Sequence, residues 1–571
     1  MNILGLAAPF GHDASAALII NGKIVAAAEE ERFTRRKHAD GQLPVNAVNF
    51  CLRTAGLHPS QIDSVAFPWS IQPLLDKRWE HLLRAIGSKP SGALKKFFRP
   101  HKYFRSQKNF VNQTLKECGF DVTAIKIEWV EHQLAHAASS LYLSGMKEAA
   151  VMSIDAGGEI TCTMLGETVN GTIKKIKEVI NTDSLGLFYA TMTDYLGFDR
   201  GDGEYKVMGM APYGDATRIN FDHIIWWDRE HQSYRVNDNY VWVRRDQRQR
   251  MDKVYSKLMV SEFGPEREGD GLAEPHIHIA AAVQKKLEEM TLNLVDTHFK
   301  DVLKRHGNLC FAGGCALNVA MNRLLVDLPY VKRLWIQPAA NDAGTSLGAA
   351  VYVAHQRGEK IEPMTHAYWG PEYTDQDIEK ELKQSSYVYE KKEDIGQTVA
   401  ELLHQGNIVA WFQGRMEWGP RALGNRSILG NPTVKGTADK INEIIKFREN
   451  WRPFCPSILE EYAPDILDSD HPAPFMTIAF KANPQWSLKI PEVVHVDGTC
   501  RPQVVSKETN PKFHKLISLF HKKSGVPVVI NTSLNRRGEP MVCSPRDALV
   551  MLEGSGLQYL ALGNFLVRKN K

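Results

Sequence analysis

The sequence predicts an α/β fold with more than one domain, and three features of the chain predict it. Its 571 residues are 43% hydrophobic and 24% charged, which is ordinary globular composition in a chain too long for a single core. A strand, a glycine-bearing loop and a returning strand occur twice. A third block of strand-like and helix-like segments follows. We therefore expect two similar α/β halves around one cleft and a further α/β domain.

The first repeat lies at the beginning of the chain. Residues 2–6, 15–20 and 23–28 are apolar and predict three strands, with a loop containing His12 after the first and a tight Asn21-Gly22 turn after the second. The order recurs about 150 residues later, with strands at 149–154, 161–165 and 172–176 around Asp155 and a turn at Asn170-Gly171. Two unrelated hairpins remain the alternative, because Asn-Gly turns are common.

Further elements complete the first domain and begin the second. Residues 308–310 predict a strand that runs into the Gly313-Gly314 turn, and residues 344–355 predict a helix that begins at the same cleft. Polar residues 356–363 interrupt the pattern, so we place the domain boundary near residue 368, with domains 1–368 and 369–571. Strands predicted at 407–412 and 526–531 belong to the second domain.

Two histidines and two aspartates predict a metal site. His132 and His136 are four apart, so they share one face of a helix. Asp155 and Asp342 each follow a predicted strand at a loop expected to face the cleft. Such a set suits Fe(II), Zn(II) or Mn(II) and does not choose among them. Two satisfied core histidines are the alternative for the pair alone.

His12 lies in the first loop, at the predicted mouth of the cleft. Its imidazole could accept a proton from a substrate hydroxyl, since its ordinary pKa is near neutrality. A lone loop histidine without a function is the alternative.

Residues 415–452 form a local basic concentration. Eight lysines and arginines stand against four acidic residues there, interleaved with glycine, tryptophan and proline. Guanidinium groups held in this way suit phosphate binding, and solvated helix faces are the alternative.

Composition excludes several classes of protein. A net charge of +4 argues against broad nucleic-acid binding. Eight scattered cysteines without a CxxC pair indicate neither a zinc ribbon nor a disulfide framework, so we expect a reducing cytoplasm. No apolar run reaches the ~18 residues of a bilayer span, and the start lacks a basic signal region, so we expect no membrane insertion.

A series of motifs in order along the whole chain resembles the O-carbamoyltransferases of the nodulation and antibiotic-tailoring type. The motifs are His12-Asp-Ala-Ser-Ala-Ala, Glu30-Glu-Arg-Phe-Thr, His132-x-x-x-His136, Asp155-Ala-Gly-Gly, Met208-Gly-Met-Ala-Pro-Tyr-Gly, Phe311-Ala-Gly-Gly-Cys-Ala-Leu-Asn, Gly419-Pro-Arg-Ala-Leu-Gly-Asn-Arg-Ser and Asn531-Thr-Ser-Leu-Asn.

The resemblance implies a duplicated, actin-like ATPase-type (Kae1-like) domain fused to a YrdC-like α/β domain. The second domain would form carbamoyladenylate from carbamoyl phosphate and ATP with Mg²⁺, and the first, carrying Fe(II), would transfer the carbamoyl group to a hydroxyl of a small-molecule acceptor. The implied site residues divide by role. They are the metal ligands His132, His136, Asp155 and Asp342, the base His12, the nucleotide-binding Gly157, Gly158, Lys206, Gly209, Gly313, Gly314 and Asn318 of the first domain, and Arg421, Lys446, Arg452, Arg501, Asn531 and Ser533 for carbamoyl phosphate and ATP in the second.

One position departs from the family pattern, and two other functions compete with this reading. Antibiotic-type relatives can carry an acidic residue two before the histidine, where this chain has Phe10, which argues against a polycationic aminoglycoside acceptor. An actin-like sugar kinase would share the hairpins but needs neither the histidine–aspartate set nor the basic domain. A threonylcarbamoyl transferase acting on tRNA would need an RNA-binding surface. The acceptor and the oligomeric state, a homodimer included, stay open.

Overall fold

The protein is mixed α/β and folds into two compact units. The structure, a computed structural model, describes residues 1–8, 11–85, 94 and 96–569. The first unit comprises Met1–Gly11, Ser15–Ile24 and Leu43–Pro363, and the second His12–Ala14, Val25–Gln42 and Met364–Lys571. The main segment of the second unit thus begins close to the predicted boundary at 368, and it is joined there by two short segments from the beginning of the chain.

Two five-stranded sheets with the same order of strands build the first unit, together with a separate two-stranded sheet. The strands of this unit are β1 Asn2–Ala7, β2 Ser15–Ile20, β3 Lys23–Glu29, β4 Ser64–Phe67, β5 Ile127–Trp129, β6 Ala150–Ile154, β7 Thr161–Val169, β8 Thr172–Ile180, β9 Ile225–Asp228, β10 Ser233–Val236, β11 Asn308–Ala312 and β12 Arg333–Ile336. One large sheet has the order β3-β2-β1-β4-β5 and the other β8-β7-β6-β11-β12. Strand β3 continues into the Val25–Gln42 segment of the second unit.

In each large sheet, antiparallel hairpin strands are followed by two parallel strands. In the first sheet β1 pairs antiparallel with β2 and parallel with β4, and in the second β6 pairs antiparallel with β7 and parallel with β11. The predicted hairpins are confirmed, and Asn21 and Asn170 have the positive φ values of 50° and 51° that such turns require.

Two helices pack against each other and against these sheets. The helices of the first unit are Val45–Ala55, Gln72–Asp76, Arg78–Ala85, Pro100–Glu117, His132–Leu141, Leu185–Tyr195, Glu204–Met210, Lys257–Phe263, His276–His298, Lys300–His306, Val319–Val326 and Gly344–Gln356. The Gly344–Gln356 helix packs on β1, β2 and β4, whereas the His132–Leu141 helix packs on β6 and β11. Ala137 and Leu141 contact Val151 and Cys310 of that second sheet in one buried cluster.

The two helices approach each other closely at Gly348. A Cβ atom at this position would lie 1.9 Å from the carbonyl oxygen of Ala135, well inside van der Waals contact. Only glycine therefore permits this separation of the helix axes.

An eight-stranded mixed sheet covered by helices builds the second unit. Its order is β13-β22-β21-β14-β15-β20-β16-β19, with a short β17-β18 pair beside it. These strands are β13 Val388–Lys391, β14 Val409–Phe412, β15 Arg426–Gly430, β16 Cys455–Leu459, β17 Phe480–Lys481, β18 Thr499–Cys500, β19 Gln503–Val505, β20 Val528–Ser533, β21 Tyr559–Leu562 and β22 Phe565–Arg568. The helices are Glu31–Thr34, Asp375–Lys383, Ile395–His404, Thr437–Ile441, Ala463–Ile466, Pro484–Lys489, Pro511–Ser524 and Pro545–Glu553. Val399 and Phe513 of two helices pack on Val409 and Trp411 of the sheet. Among the described residues, no helix combines the length and apolar character that a bilayer crossing requires.

We expect Gly348→Ala to lower the thermal melting midpoint, because the added methyl group must push the two helices apart. Such overpacking costs roughly 1 to 3 kcal/mol of the free energy of unfolding. Circular dichroism melts would measure it. Gly271→Ala is the matched control, since a Cβ there meets no atom within 4 Å. Equal midpoints for the two variants would contradict the close packing.

Candidate active site and metal centre

Four buried side chains of the first unit converge on one point. The Nε2 atoms of His132 and His136 lie 3.2 Å apart. Asp342 Oδ1 lies 3.5 Å from the first and 3.4 Å from the second, and Asp155 Oδ2 lies 3.5 and 3.9 Å from them. One ligand atom from each residue falls within 4.8 Å of all the others. The structure thus brings together all four residues that the sequence predicted as metal ligands.

Three separate elements place these ligands. The histidines stand one turn apart on the His132–Leu141 helix, as their spacing predicted. Asp155 follows β6, and its backbone N–H donates to the Cys162 carbonyl at 2.8 Å. Asp342 lies in the turn before the Gly344–Gln356 helix, and its carbonyl accepts from Thr345 N at 3.0 Å.

The donor set fits a divalent metal ion. Ligand atoms 2.0 to 2.2 Å from one ion lie roughly 3.0 to 3.6 Å apart, close to the observed separations. Burial alone would lower the pKa of His132, but the carboxylates of Asp342 and Asp155 outweigh burial and raise it to about 10. The site therefore favours positive charge, which a cation supplies without a proton.

Glu159 is a buried residue of this centre that the sequence did not reveal. Its Oε1 accepts the backbone N–H of His132 at 3.0 Å and that of Ser70 at 2.7 Å. Within the described structure, Glu131 at the start of this helix makes no side-chain capping bond, so Glu159 supplies a cap from elsewhere in the fold. Burial raises the pKa of Glu159 to about 7, against the opposing effect of His132. Its position directly after the Asp155-Ala-Gly-Gly motif is the one signal in the sequence.

Four of the predicted glycines, Gly157, Gly158, Gly313 and Gly314, lie in the loops beside the ligands. The backbone N–H of Gly314 donates to Asp155 Oδ1 at 3.0 Å and so orients that carboxylate. Gly313 has a φ of 91°, and a Cβ there would lie 2.2 Å from the Ile154 carbonyl oxygen. A Cβ on Gly158 would lie 3.3 Å from the His132 ring, whereas one on Gly157 would meet Asn181.

Three other residues predicted at the nucleotide lie at two further helices. Lys206 and Gly209 belong to the Glu204–Met210 helix, and the Lys206 ammonium lies 5.1 Å from the centroid of the Phe198 ring. Asn318 caps the Val319–Val326 helix, and its side-chain amide bonds reciprocally to that of Gln284 at 2.8 and 2.9 Å.

The structure places His12 in the second unit, beside a carboxylate shared with another imidazole. His12 Nδ1 lies 3.5 Å from Asp13 Oδ2, and His38 Nδ1 lies 2.8 Å from Asp13 Oδ1. Burial would raise the pKa of Asp13, but the two histidines outweigh it and lower the pKa to about 2. Asp13 therefore stays ionised at ordinary pH. Phe10 lies outside the described residues.

Lys446 organises a loop of the second unit. Its Nζ donates to the carbonyl and hydroxyl oxygens of Ser533 at 2.5 and 3.1 Å and to the two oxygens of Asn535 at 3.1 and 2.9 Å. Burial, followed by the charges of Arg448 and Arg452, lowers the pKa of Lys446 well below its ordinary value. Asn535 was not predicted.

Arginines gather around Lys446. Burial and Arg452 lower the pKa of Arg448 well below its ordinary value. Arg501 Nη2 lies 2.9 Å from Cys455 Sγ, and Arg452 Nη1 lies 3.6 Å from Glu449 Oε2. Neighbouring buried cations that lower one another's pKa values in this way favour an anionic ligand, because its negative charge stabilises them.

The loop that carries Arg421 is folded around a buried carboxylate. Glu417 Oε1 accepts the backbone N–H groups of Leu423, Asn425 and Arg426 at 2.8, 2.8 and 3.0 Å. Asn531, also predicted at the nucleotide, lies deeper. Its Nδ2 donates to Ser457 Oγ at 2.9 Å, Gln503 Oε1 at 3.1 Å and the Ala422 carbonyl at 3.2 Å.

Known proteins resemble this chain over its whole length. A protein of Synechocystis sp. described as uncharacterised is 35% identical, with 100% of this chain and 97% of that protein covered. Nodulation protein NolNO of Sinorhizobium fredii is 34% identical, with 100% and 80% covered. Among solved structures, a ROK hexokinase from Thermus thermophilus is 13% identical, with 63% of this chain and 100% of that chain covered, at a TM-score of 0.28, too low to define a shared fold.

Two family profiles cover most of the sequence. The profile "Carbamoyltransferase N-terminus" matches residues 2–351, and "Carbamoyltransferase C-terminus" matches residues 400–569. These matches agree with the resemblance inferred from the motifs. The chain belongs to the carbamoyltransferase family.

Proposed function

We propose that the protein is an ATP-dependent O-carbamoyltransferase. Its second domain, residues 369–571, forms carbamoyladenylate from carbamoyl phosphate and ATP, and its first domain, residues 1–368, transfers the carbamoyl group to a hydroxyl of a small-molecule acceptor, such as a sugar or natural product. The observation that carries this proposal is the convergence of His132, His136, Asp155 and Asp342 in a carbamoyltransferase. The matching strand orders of the two five-stranded sheets support a duplicated, actin-like first domain. The YrdC-like nature of the second domain is part of the proposal.

A divalent ion, Fe(II) in this proposal, would be held by the four buried side chains. When bound, it would polarise the carbamoyl carbonyl as a Lewis acid. Gly314 keeps Asp155 oriented, and Glu159 fixes the start of the helix that carries both histidines. Backbone at Gly157, Gly158 and Gly313 can approach the adenylate without side chains in the way, with Lys206, Gly209 and Asn318 as its further contacts.

His12 accepts the proton of the acceptor hydroxyl in this proposal. Asp13 orients the imidazole, since its carboxylate lies beside His12 Nδ1, and Nε2 is the nitrogen that accepts the proton in this proposal. The hydroxyl oxygen then bonds to the carbamoyl carbon, and AMP leaves with the bonding electron pair.

The basic cluster of the second unit binds the phosphates of carbamoyl phosphate and ATP, with Mg²⁺ accompanying ATP. Buried neighbouring cations support this role, because an anion between them offsets their mutual repulsion. Arg421, Lys446, Arg452, Arg501 and Ser533 supply the polar contacts, and Asn531 supports them from the sheet. Incubation with ATP and carbamoyl phosphate tests the function directly. Phosphate and pyrophosphate release that requires carbamoyl phosphate supports it, whereas ADP formation would identify a kinase.

We expect Asp342→Ala or His132→Ala to abolish metal retention and carbamoyl transfer while carbamoyladenylate synthesis continues. Loss of a direct ligand should reduce metal affinity at least by the roughly 10 to 100-fold typical of outer-shell changes. Metal analysis after gel filtration and a transfer assay would measure this. His278→Gln, at a buried histidine outside the cluster, is the control, and a ligand variant with full metal and full transfer would refute the site.

We expect the arginine variants to lose carbamoyladenylate synthesis and to keep carbamoyl transfer. Arg421→Ala or Arg452→Ala should stop pyrophosphate release, since each charged contact to a buried phosphate contributes roughly 1.5 to 3 kcal/mol. Supplied carbamoyladenylate should still be transferred. Lys440→Ala changes an exposed cation of the same stretch and serves as the control. Failure to use the supplied intermediate would assign the arginines to transfer instead.

His12→Asn should retain metal and intermediate synthesis but lose transfer by roughly 10² to 10⁴-fold. Wild-type transfer should fall at acidic pH, because a protonated imidazole cannot accept the hydroxyl proton. Protonation of Asp13 cannot cause this acidic limb of the pH profile, since the pKa of Asp13 is about 2. An unchanged acidic limb in the variant, measured where transfer limits turnover, would assign the base to another residue.

A further inference from the structure

A segment from the beginning of the chain is built into the second unit. Residues Val25–Gln42, here called the clamp segment, pack with residues beyond Met364. The backbone N–H of Ala27 donates to the Trp369 carbonyl at 3.1 Å, and Arg415 Nη2 donates to the Val25 carbonyl at 3.0 Å. The family profiles, which divide the chain by sequence, give no reason to expect this arrangement.

The clamp segment binds both backbone polar groups of Gly419 through the paired side chains of Glu29 and Arg32. Arg32 forms a bidentate ion pair with Glu29, with Nε–Oε2 and Nη2–Oε1 distances of 3.1 and 3.2 Å, and its Nη1 lies 2.7 Å from Glu31 Oε1. Glu29 Oε1 also accepts the Gly419 N–H at 3.0 Å, and Arg32 Nη2 donates to the Gly419 carbonyl at 3.0 Å. Both side chains are buried, with relative exposures of 6% and 5%. Gly419 has a φ of 104°, so the pair fixes a backbone conformation that other residues rarely adopt.

Gly419 begins the loop that carries Arg421. Glu417, two residues earlier, binds the far end of this loop through three backbone N–H groups. The loop is therefore fixed by hydrogen bonds from its own Glu417 and by hydrogen bonds from the clamp segment to Gly419. The backbone is thus fixed at Gly419, two residues before Arg421, and at Leu423, two residues after it. Arg421 itself therefore has little backbone freedom.

A second loop is held by the same segment. Arg35 Nη1 donates to the Met541 carbonyl at 2.5 Å and Nη2 to the Pro540 carbonyl at 2.7 Å. This loop follows Asn535, which binds Lys446. The clamp segment thus contacts both loops that contain or support proposed phosphate-binding side chains.

We propose that Glu29 and Arg32 are positioning residues for carbamoyladenylate formation, because they fix the Gly419 backbone and thereby the direction of Arg421. This inference rests on the proposed function of the second unit. A pair that only stabilised the fold could be replaced by apolar side chains with little loss. A positioning pair must instead supply an acceptor to the Gly419 N–H and a donor to its carbonyl.

The test compares three variants of the full chain by pyrophosphate release at saturating ATP and carbamoyl phosphate. Arg32→Lys keeps the charge but removes the planar guanidinium that binds both Glu29 oxygens and the Gly419 carbonyl in one fixed geometry. Glu29→Leu removes the acceptor, whereas Glu29→Gln keeps a side-chain oxygen for the Gly419 N–H. We expect Arg32→Lys and Glu29→Leu to lose kcat by roughly 10 to 100-fold, as for a misplaced catalytic contact, with Glu29→Gln within a few-fold of wild type.

Controls separate positioning from folding. Melting midpoint and metal content report on the folded fraction, to which each rate is normalised. Arg235→Lys is the matched control, because Arg235 also binds two carboxylates, Asp183 and Asp228, at 3.0 Å each, but in the first unit. Its kcat should equal that of wild type.

Two results would overturn the inference. Arg32→Lys and Glu29→Leu could retain wild-type kcat per folded molecule, or Glu29→Gln could lose as much as Glu29→Leu. If Glu29→Leu does not fold, Arg32→Lys and Glu29→Gln still decide. Wild-type protein that releases no pyrophosphate would instead refute the proposed function.

Discussion

The close approach of two helices at Gly348 is the constraint on which the candidate metal centre depends. One helix carries His132 and His136, and the other begins two residues after Asp342. Their separation is set where the Gly348 backbone meets the Ala135 carbonyl. Each helix also lies on a different five-stranded sheet. A site assembled across such a contact can hold its ligand atoms a few ångströms apart only while both sheets keep their places.

Sequence periodicity could predict the parts of this arrangement that are local. The four-residue spacing of the histidines, the Asn-Gly turns and the strands before Asp155 follow from short-range rules, and each is present. Glu159 could not be predicted, because its role arises from a contact 27 positions away with His132 N–H. A capping residue outside the helix leaves no pattern within it. The membership of His12 in the second unit likewise depends on contacts between distant parts of the chain, so the sequence predicted only its loop.

Charge counts predicted a basic region but could not assign a role to each of its basic residues. Arg426 is fully buried, donates to backbone carbonyls such as that of Gln413 at 2.6 Å, and stacks 3.6 Å from the centroid of the Phe412 ring. It therefore serves the architecture of the loop. Lys446 stands beside other cations and organises the Ser533 loop. Two basic residues in one motif-rich stretch thus have different physical roles, and only their neighbours distinguish them.

The position of the clamp segment also sets an order of events during synthesis. Arg32 and Gly419 are 387 positions apart. At ordinary rates of translation the clamp segment leaves the ribosome roughly 20 to 80 seconds before its partner loop exists. The four candidate metal ligands, by contrast, have all been synthesised once the chain reaches residue 342. The histidine–aspartate cluster can therefore assemble before the Gly419 loop, which Glu29 and Arg32 bind, has been synthesised.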